Sequence, residues 1–177
     1  LVTSLVAGRK IALLERFSVD AWAALVREHR PRAISLVPAA IAMVLDADLP
    51  RSTFEGVSAL VAGTAPLDPE LGRQFEERYG VPVLVVYGAT EFAGGVAGWT
   101  LPDWRRFGAD KIGSVGRANP GVQVRIVDPD SGAELAPGDV GLLEVQAAQL
   151  SQPGWVRTTD LARIDADGFI WIVGRAD

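Results

Sequence analysis

The sequence predicts an α/β fold in two parts: a parallel-sheet α/β subdomain over residues 1–110 and a small antiparallel β-subdomain over residues 111–177. Three observations lead there. Up to Glu91, short apolar runs alternate with stretches of helical periodicity, as strands buried on both faces and joined by right-handed helical crossovers would. Beyond a Trp- and Gly-rich passage at residues 97–113, period-two alternation and turn clusters take over with no convincing helix. No internal repeat or low-complexity linker interrupts the chain, so the compositional shift near residues 105–113 marks the boundary.

Each element has its own signal. Residues 1–8 read as a helix in progress and residues 10–14 as a first short strand. Ser18 is placed to cap the next helix, with Phe17 and Trp22 at the N′ and N4 positions of a hydrophobic staple. Trp22, Leu25, Val26 and His29 then recur at helical spacing, and Pro31 follows the end. Residues 33–37 form the second run. Pro38 suits the first turn of a helix reaching about Ala47, where Asp48, Leu49 and Pro50 break it. Residues 58–62 are the third run. Asp68 caps a further helix, with Pro69 at its first position, Leu71 and Phe75 on its inner face and Gly80 past its end. Residues 83–86 are the fourth run.

In the second part, Val122, Val124 and Ile126 alternate with Gln123 and Arg125, and Asp128-Pro129-Asp130-Ser131-Gly132 is a turn cluster. Residues 140–146 and 155–164 read as strands. Asp165-Ala166-Asp167-Gly168 then turns a hairpin into residues 169–173, where Phe169, Trp171 and Val173 share one face.

Composition excludes several chemistries. With 17 Lys and Arg against 22 Asp and Glu the net charge is -5, and no basic cluster offers a nucleic-acid surface. The absence of Cys removes disulfides and thiolate metal sites, and a single histidine argues against a histidine-rich zinc site. That residue, His29, shares the apolar side of its helix near the C-terminus and reads as a packed or partly exposed side chain. No apolar run approaches the ~18 residues of a membrane span and no signal-peptide pattern opens the chain, so a cytoplasmic location is expected.

Ligands of open parallel sheets bind at the carboxyl ends of the strands. Two loops leave such ends: Gly63-Thr64-Ala65-Pro66-Leu67 after the third run and Tyr87-Gly88-Ala89-Thr90-Glu91 after the fourth. Gly63 and Ala65 would let a flat ring approach the backbone. Tyr87 offers an aromatic face, Thr90 a hydroxyl for a phosphate oxygen, and Glu91 the hard carboxylate that magnesium prefers. Each also has a purely structural reading: Tyr87 as core filler, Gly88 as a turn residue, Glu91 as a helix-start carboxylate.

Tyr87-Gly88-Ala89-Thr90-Glu91 resembles the Tyr-Gly-x-Thr-Glu motif of the adenylate-forming enzymes, the superfamily of acyl-CoA synthetases, aryl-CoA ligases, firefly luciferase and peptide-synthetase adenylation domains. The resemblance extends in order along nearly the whole chain. It includes Gly63-Thr64-Ala65-Pro66-Leu67, Gly113-Ser114-Val115-Gly116-Arg117 and the stretch from Pro120 into Asp128. It continues through Gly138 with Gly141-Leu142-Leu143-Glu144-Val145, then Arg157-Thr158-Thr159-Asp160-Leu161-Ala162, Asp167-Gly168-Phe169 and Val173-Gly174-Arg175-Ala176-Asp177. The sequence departs from the family pattern in carrying Thr159 where Gly is usual, and in a short segment between Val145 and Trp155. The family's Lys-ending phosphate loop and its C-terminal domain with the adenylating lysine are not in these residues.

The resemblance implies that Gly63, Thr64 and Ala65 wall the adenine site and that Tyr87 stacks on the base within the Gly88 and Ala89 loop. It implies that Thr90 contacts the α-phosphate, Glu91 binds Mg²⁺, Asp160 grips the ribose hydroxyls, Arg175 lies at the ribose and Ile172 near the adenine. By strand alternation Ile172 points opposite to Arg175, so it would reach the base only from a twisted or bulged strand. Asp177 corresponds to the hinge towards the C-terminal domain of the same parent chain. The implied function is part of an ATP-dependent acyl-CoA ligase, with ATP, Mg²⁺, coenzyme A and a carboxylic acid as its small-molecule partners.

Phe92-Ala93-Gly94-Gly95-Val96, with Val37 and Pro38 nearby, suggests an apolar acyl tail, fatty or aromatic, the Gly pair reading equally well as loop flexibility. The alternatives are a non-catalytic nucleotide-binding remnant, an aryl-CoA ligase or a peptide-synthetase adenylation domain. The 177-residue chain alone is expected to make no acyl-adenylate, and measurable ATP–pyrophosphate exchange by it would overturn that expectation.

Overall fold

The computed structural model describes residues 6–8, 10–150 and 154–176. Its helices are α1 (Val19–His29), α2 (Pro38–Asp46), α3 (Pro69–Tyr79) and α4 (Leu101–Phe107). Its strands are β1 (Ala33–Leu36), β2 (Ala59–Ala62), β3 (Val83–Ala89), β4 (Gly94–Gly98), β5 (Arg117–Ala118), β6 (Val122–Val127), β7 (Gly141–Ala147), β8 (Val156–Ile164) and β9 (Ile170–Arg175). They form a five-stranded sheet in the order β1-β2-β3-β4-β5 and a four-stranded sheet in the order β6-β7-β8-β9.

Local chemistry fixes the helix ends. Ser18 accepts a hydrogen bond from the Ala21 amide, and the Phe17 and Trp22 rings meet at 6.4 Å, so the staple forms. Asp68 accepts from the Glu70 amide at 2.9 Å, and Gly80 ends α3 in the left-handed region at φ 73°. The first sheet is parallel from β1 to β3, where α2 and α3 are the crossovers, and antiparallel from β3 to β5. The reversal after β3 has only a 3₁₀ turn (Thr90–Phe92) and Ala93 at φ 54°, too short a connection for a parallel crossover. Gly94 and Gly95, which had a loop reading, are residues of β4.

One other expectation gives way. Residues 10–14 form no strand: Leu13 is exposed, and an apolar pentapeptide becomes a strand only where a neighbour pairs with it. The Trp- and Gly-rich passage between the two parts contains α4, started by the Thr100 hydroxyl accepting from the Asp103 amide at 3.1 Å, and no helix follows it among the described residues. The helix read over residues 1–8 lies mostly outside the described residues.

Two apolar clusters hold the molecule. In the first, α1, α2 and α3 cover one sheet face, burying Ile34, Leu36, Leu60, Ala62 and Val83. Phe54, Phe75 and Tyr79 pack there with ring centroids 4.3–5.5 Å apart, and the Tyr79 hydroxyl donates to the Val44 carbonyl at 3.0 Å. In the second, Phe92, Val96 and Ala97 from the end of the first sheet meet Ile126, Leu143, Val145, Ala162 and Ile170 from the second. Polar ties cross the same joint. Lys111 bonds Asp165 and Asp167, each at 2.6 Å, and the Arg117 guanidinium lies 4.3 Å from the Phe169 ring centroid.

Replacing fully buried Phe75 by Ala removes the middle of the first cluster and should cost about 3–5 kcal/mol in denaturant unfolding. A loss below about 1 kcal/mol would show that this cluster is not the core of the first sheet.

Candidate functional site

The site is made by interruptions in three strand ladders. Where β3 leaves its parallel partner, Tyr87 pairs with Ala97 and Gly88 with Gly95, so Val96 is an extra residue on β4. The two chains come so close that a Cβ at Gly88 would stand 2.7 Å from the Gly95 Cα. Only glycine fits there. On β8 the break is larger. Arg157 pairs with Glu144 and Leu161 with Leu142, leaving Thr158, Thr159 and Asp160 opposite the single residue Leu143. On β9, Gly174 pairs with Leu161 and Ile172 with Ala162, so Val173 is the extra residue.

The β8 bulge turns Asp160 towards the first sheet. Its Oδ2 accepts the Tyr87 hydroxyl, a hydrogen bond between residues 73 positions apart, and its Oδ1 accepts the Arg175 Nε at 3.2 Å. Burial raises the Tyr87 phenol well above its usual range, and the Asp160 carboxylate adds to the effect, so the hydroxyl stays a donor at neutral pH. Thr158 staples the bulge: its Oγ1 donates to the Leu143 carbonyl and accepts the Asp160 amide, both at 2.9 Å. The Thr159 carbonyl accepts the Ala176 amide at 2.7 Å.

A cleft of about 220 Å³ opens beside these groups, lined by Ala89, Glu91, Phe92, Val156, residues 157–160 and Arg175. Glu91 is exposed, and Thr90, also exposed, precedes it in the 3₁₀ turn. The cleft thus combines two carboxylates, two guanidinium groups and an aromatic wall. Behind it, buried Glu144 holds Arg157 at 2.9 Å and Arg125 at 2.8 Å, and Arg125 lies 4.3 Å from the Trp155 ring centroid. Burial opposes ionisation of Glu144, but hydrogen bonds from Arg157 and Arg125 outweigh it and hold the carboxyl below its ordinary range.

Of the residues singled out by the sequence, Ala89, Glu91, Asp160 and Arg175 line this cleft and Tyr87 bonds Asp160 beside it, while Gly88 and Thr90 adjoin them along the chain without lining it. Gly63, Thr64 and Ala65 follow β2 on the neighbouring edge. A Cβ at Gly63 would lie 2.7 Å from Val86 Cγ2, Thr64 has φ 71°, and none of the three lines the cleft. The Val173 bulge puts Ile172 and Arg175 on the same side of β9, but Ile172 packs on the second cluster. Phe92 is 2% exposed, packed in that cluster with its ring centroid 6.3 Å from that of Tyr87. Asp177 lies outside the described residues.

Sequence reasoning missed Arg157, Thr158 and Glu144. A Thr two residues before an Asp is the pattern of a side-chain-stapled turn, and Glu144 was a lone charge inside an apolar run. Either could have been found.

The family described as AMP-binding enzyme matches residues 1–153. "4-coumarate--CoA ligase-like 2" of Arabidopsis thaliana is 34% identical over 98% of this chain and 34% of its own length. "Putative acyl--CoA ligase YdaB" of Bacillus subtilis (strain 168) is 30% identical over 85% of this chain and 32% of its own. Among solved structures, apo MatB from Rhodopseudomonas palustris superposes with a TM-score of 0.87 at 27% identity, over 99% of this chain and 37% of that one. Amide bond synthetase McbA from Marinactinospora thermotolerans gives 0.85 at 31% identity, over 98% and 37%. The chain spans about a third of the length of the curated relatives it matches.

The Glu144 pairing makes a pH prediction. A carboxyl lowered in the folded state stabilises above its unfolded value, near 4.5, and loses that contribution as pH falls through the folded value. Glu144→Gln should therefore cost about 1–3 kcal/mol at pH 7, and the difference from wild type should shrink steadily below pH ~4. Equal urea midpoints for the two proteins at pH 7 would contradict it.

Proposed function

The chain belongs to the AMP-binding enzyme family, and from that membership we propose that it supplies the nucleotide-binding section of a longer ATP-dependent ligase that activates a carboxylic acid as its acyl-adenylate and passes the acyl group to coenzyme A. The observation that carries this reading is the Tyr87–Asp160 hydrogen bond, which ties an aromatic face to a carboxylate across the two sheets. A base stacked on the Tyr87 ring leaves its ribose beside Asp160. That carboxylate has two oxygens with about four acceptor sites, so it can take ribose hydroxyls in addition to Tyr87 and Arg175.

In this reading the base extends beyond the cleft to the loop after β2, where Gly63, Thr64 and Ala65 bound it beside Gly88 and Ala89, and Ile172 backs the site from the second cluster. Thr90 donates its hydroxyl to the α-phosphate, and Arg175 bonds the Asp160 carboxylate and aims it. Among the described residues no group of three His, Cys, Asp or Glu is gathered for a metal. The single exposed carboxylate of Glu91 suits a magnesium ion held mainly by the nucleotide's phosphates. Bound there, magnesium would neutralise phosphate charge.

The acid's carboxylate oxygen attacks the α-phosphorus and pyrophosphate leaves. The coenzyme A thiol then attacks the acyl carbon and AMP leaves. Neither step needs a protein nucleophile, which suits a chain without Cys; positioning and charge neutralisation do the catalysis.

Coenzyme A as acceptor is supported by the CoA-ligase names of the curated relatives, and an apolar, uncharged acid, fatty acids first, by the small residues after Glu91. Asp177 would be the hinge residue and the catalytic lysine would come from the C-terminal domain of the parent chain, for which a cytoplasmic location suits the Cys-free sequence. No helix among the described residues is long and apolar enough to cross a membrane.

The test is ATP–pyrophosphate exchange by the parent protein over a panel of fatty, aromatic and amino acids. Glu91→Ala should lower exchange by about 10²-fold with the preferred acid. Exchange unchanged by that substitution with every acid would remove Glu91 from the site, and no exchange with any acid would remove the activity.

A further inference from the structure

We propose that Thr158 is a positioning residue for the nucleotide site: its hydroxyl fixes the β8 bulge that aims Asp160, and without it the ribose clamp loses its geometry. The inference rests on reading Asp160 as the group that grips the ribose. With Thr158, Thr159 and Asp160 standing opposite Leu143 alone, the ladder between β7 and β8 is broken at that point. The Leu143 carbonyl and the Asp160 amide lose the partners a regular ladder would give them, and Leu143 is fully buried, so water is a poor substitute.

The Thr158 hydroxyl serves both at once. It gives its one proton to the Leu143 carbonyl at 2.9 Å and takes the Asp160 N–H on a lone pair at 2.9 Å. The Asp160 carbonyl, at 3.4 Å, is the weaker alternative acceptor. The second contact fixes the backbone at the very residue whose carboxylate meets Tyr87 and Arg175. Thr159, exposed at the tip of the bulge, has no such hold through its side chain. Any relaxation of the bulge therefore moves the Asp160 carboxylate relative to the Tyr87 ring, which is anchored in a different sheet.

The experiment uses the parent protein, with steady-state ATP–pyrophosphate exchange on ATP and on 2′,3′-dideoxy-ATP, which lacks the diol. Thr158→Val keeps the shape and removes the hydroxyl. It should raise KM for ATP about tenfold while kcat stays within about twofold. Thr158→Ser, which restores the hydroxyl, should return KM to within about twofold of wild type. On dideoxy-ATP the wild type and Thr158→Val should have the same KM.

A lowered kcat or lowered melting temperature with KM unchanged would mean that Thr158 only supports the fold, and an equal penalty on both nucleotides would mean the same; either overturns the proposal. Asp160→Asn separates the two levels. If it raises KM for ATP and Thr158→Val does not, the positioning role falls alone. If it leaves KM unchanged, the ribose reading falls, and this inference with it. Should Thr158→Val not accumulate as folded protein, Thr158→Ala against Thr158→Ser carries the same comparison.

Discussion

The hydrogen bond from the Tyr87 hydroxyl to the Asp160 carboxylate is the constraint around which the site is arranged. Its donor sits at the end of a strand whose first half is parallel and buried under helices. Its acceptor sits in a bulge of a separate antiparallel sheet. For the two to meet, the sheets must pack at a fixed distance, which the second apolar cluster ensures by interleaving Phe92, Val96 and Ala97 with Leu143, Val145 and Ile170. A phenol hydroxyl donating to a carboxylate at a partly buried joint makes one of the stronger kinds of hydrogen bond. The phenol stays a donor because burial pushes its ionisation upward.

The polar groups behind the cleft follow the same logic. Glu144 is a charge in an apolar strand, tolerated because Arg125 and Arg157 flank it on the two neighbouring strands. Breaking such a pair would leave buried charge uncompensated, which costs more than forming it gains. Its practical effect is to hold the Arg157 guanidinium at the cleft wall through its Nε. The joint on the other side, where Lys111 clamps Asp165 and Asp167, holds the β8–β9 hairpin to the loop after α4. Arg175 thus approaches Asp160 from a hairpin already tethered at its far end.

Much of this could be read from residue order, and the exceptions have physical causes. The caps at Ser18 and Asp68, the stop at Gly80 and the turn at Asp128 depend on contacts a few residues apart, so local sequence contains them. The parallel order of β1, β2 and β3 follows from strands separated by helices. The strand β4, with three glycines in five residues, has too little side-chain pattern to read and exists because β3 and β5 pair with it. Residues 10–14 failed in the opposite sense, apolar enough for a strand but given no neighbour. At the site, Tyr87, Glu91 and Asp160 were picked out by chemistry and motif, whereas Thr158 was not, because its value lies in a bulge that periodicity does not reveal.

The two bulges on β8 and β9 differ in parity. Between Arg157 and Leu161 the β8 chain carries two surplus residues, an even number, so inward and outward positions resume in step and the alternation of the strand looks undisturbed. On β9 the surplus is the single residue Val173, an odd number, and it exchanges the faces of everything beyond it. That is how Ile172 and Arg175, three apart, come to share a side. An even surplus is silent in the sequence and can change by pairs without turning the sheet inside out. An odd one is a reversal of polarity, and deleting Val173 would present Arg175 to the opposite surface of the sheet.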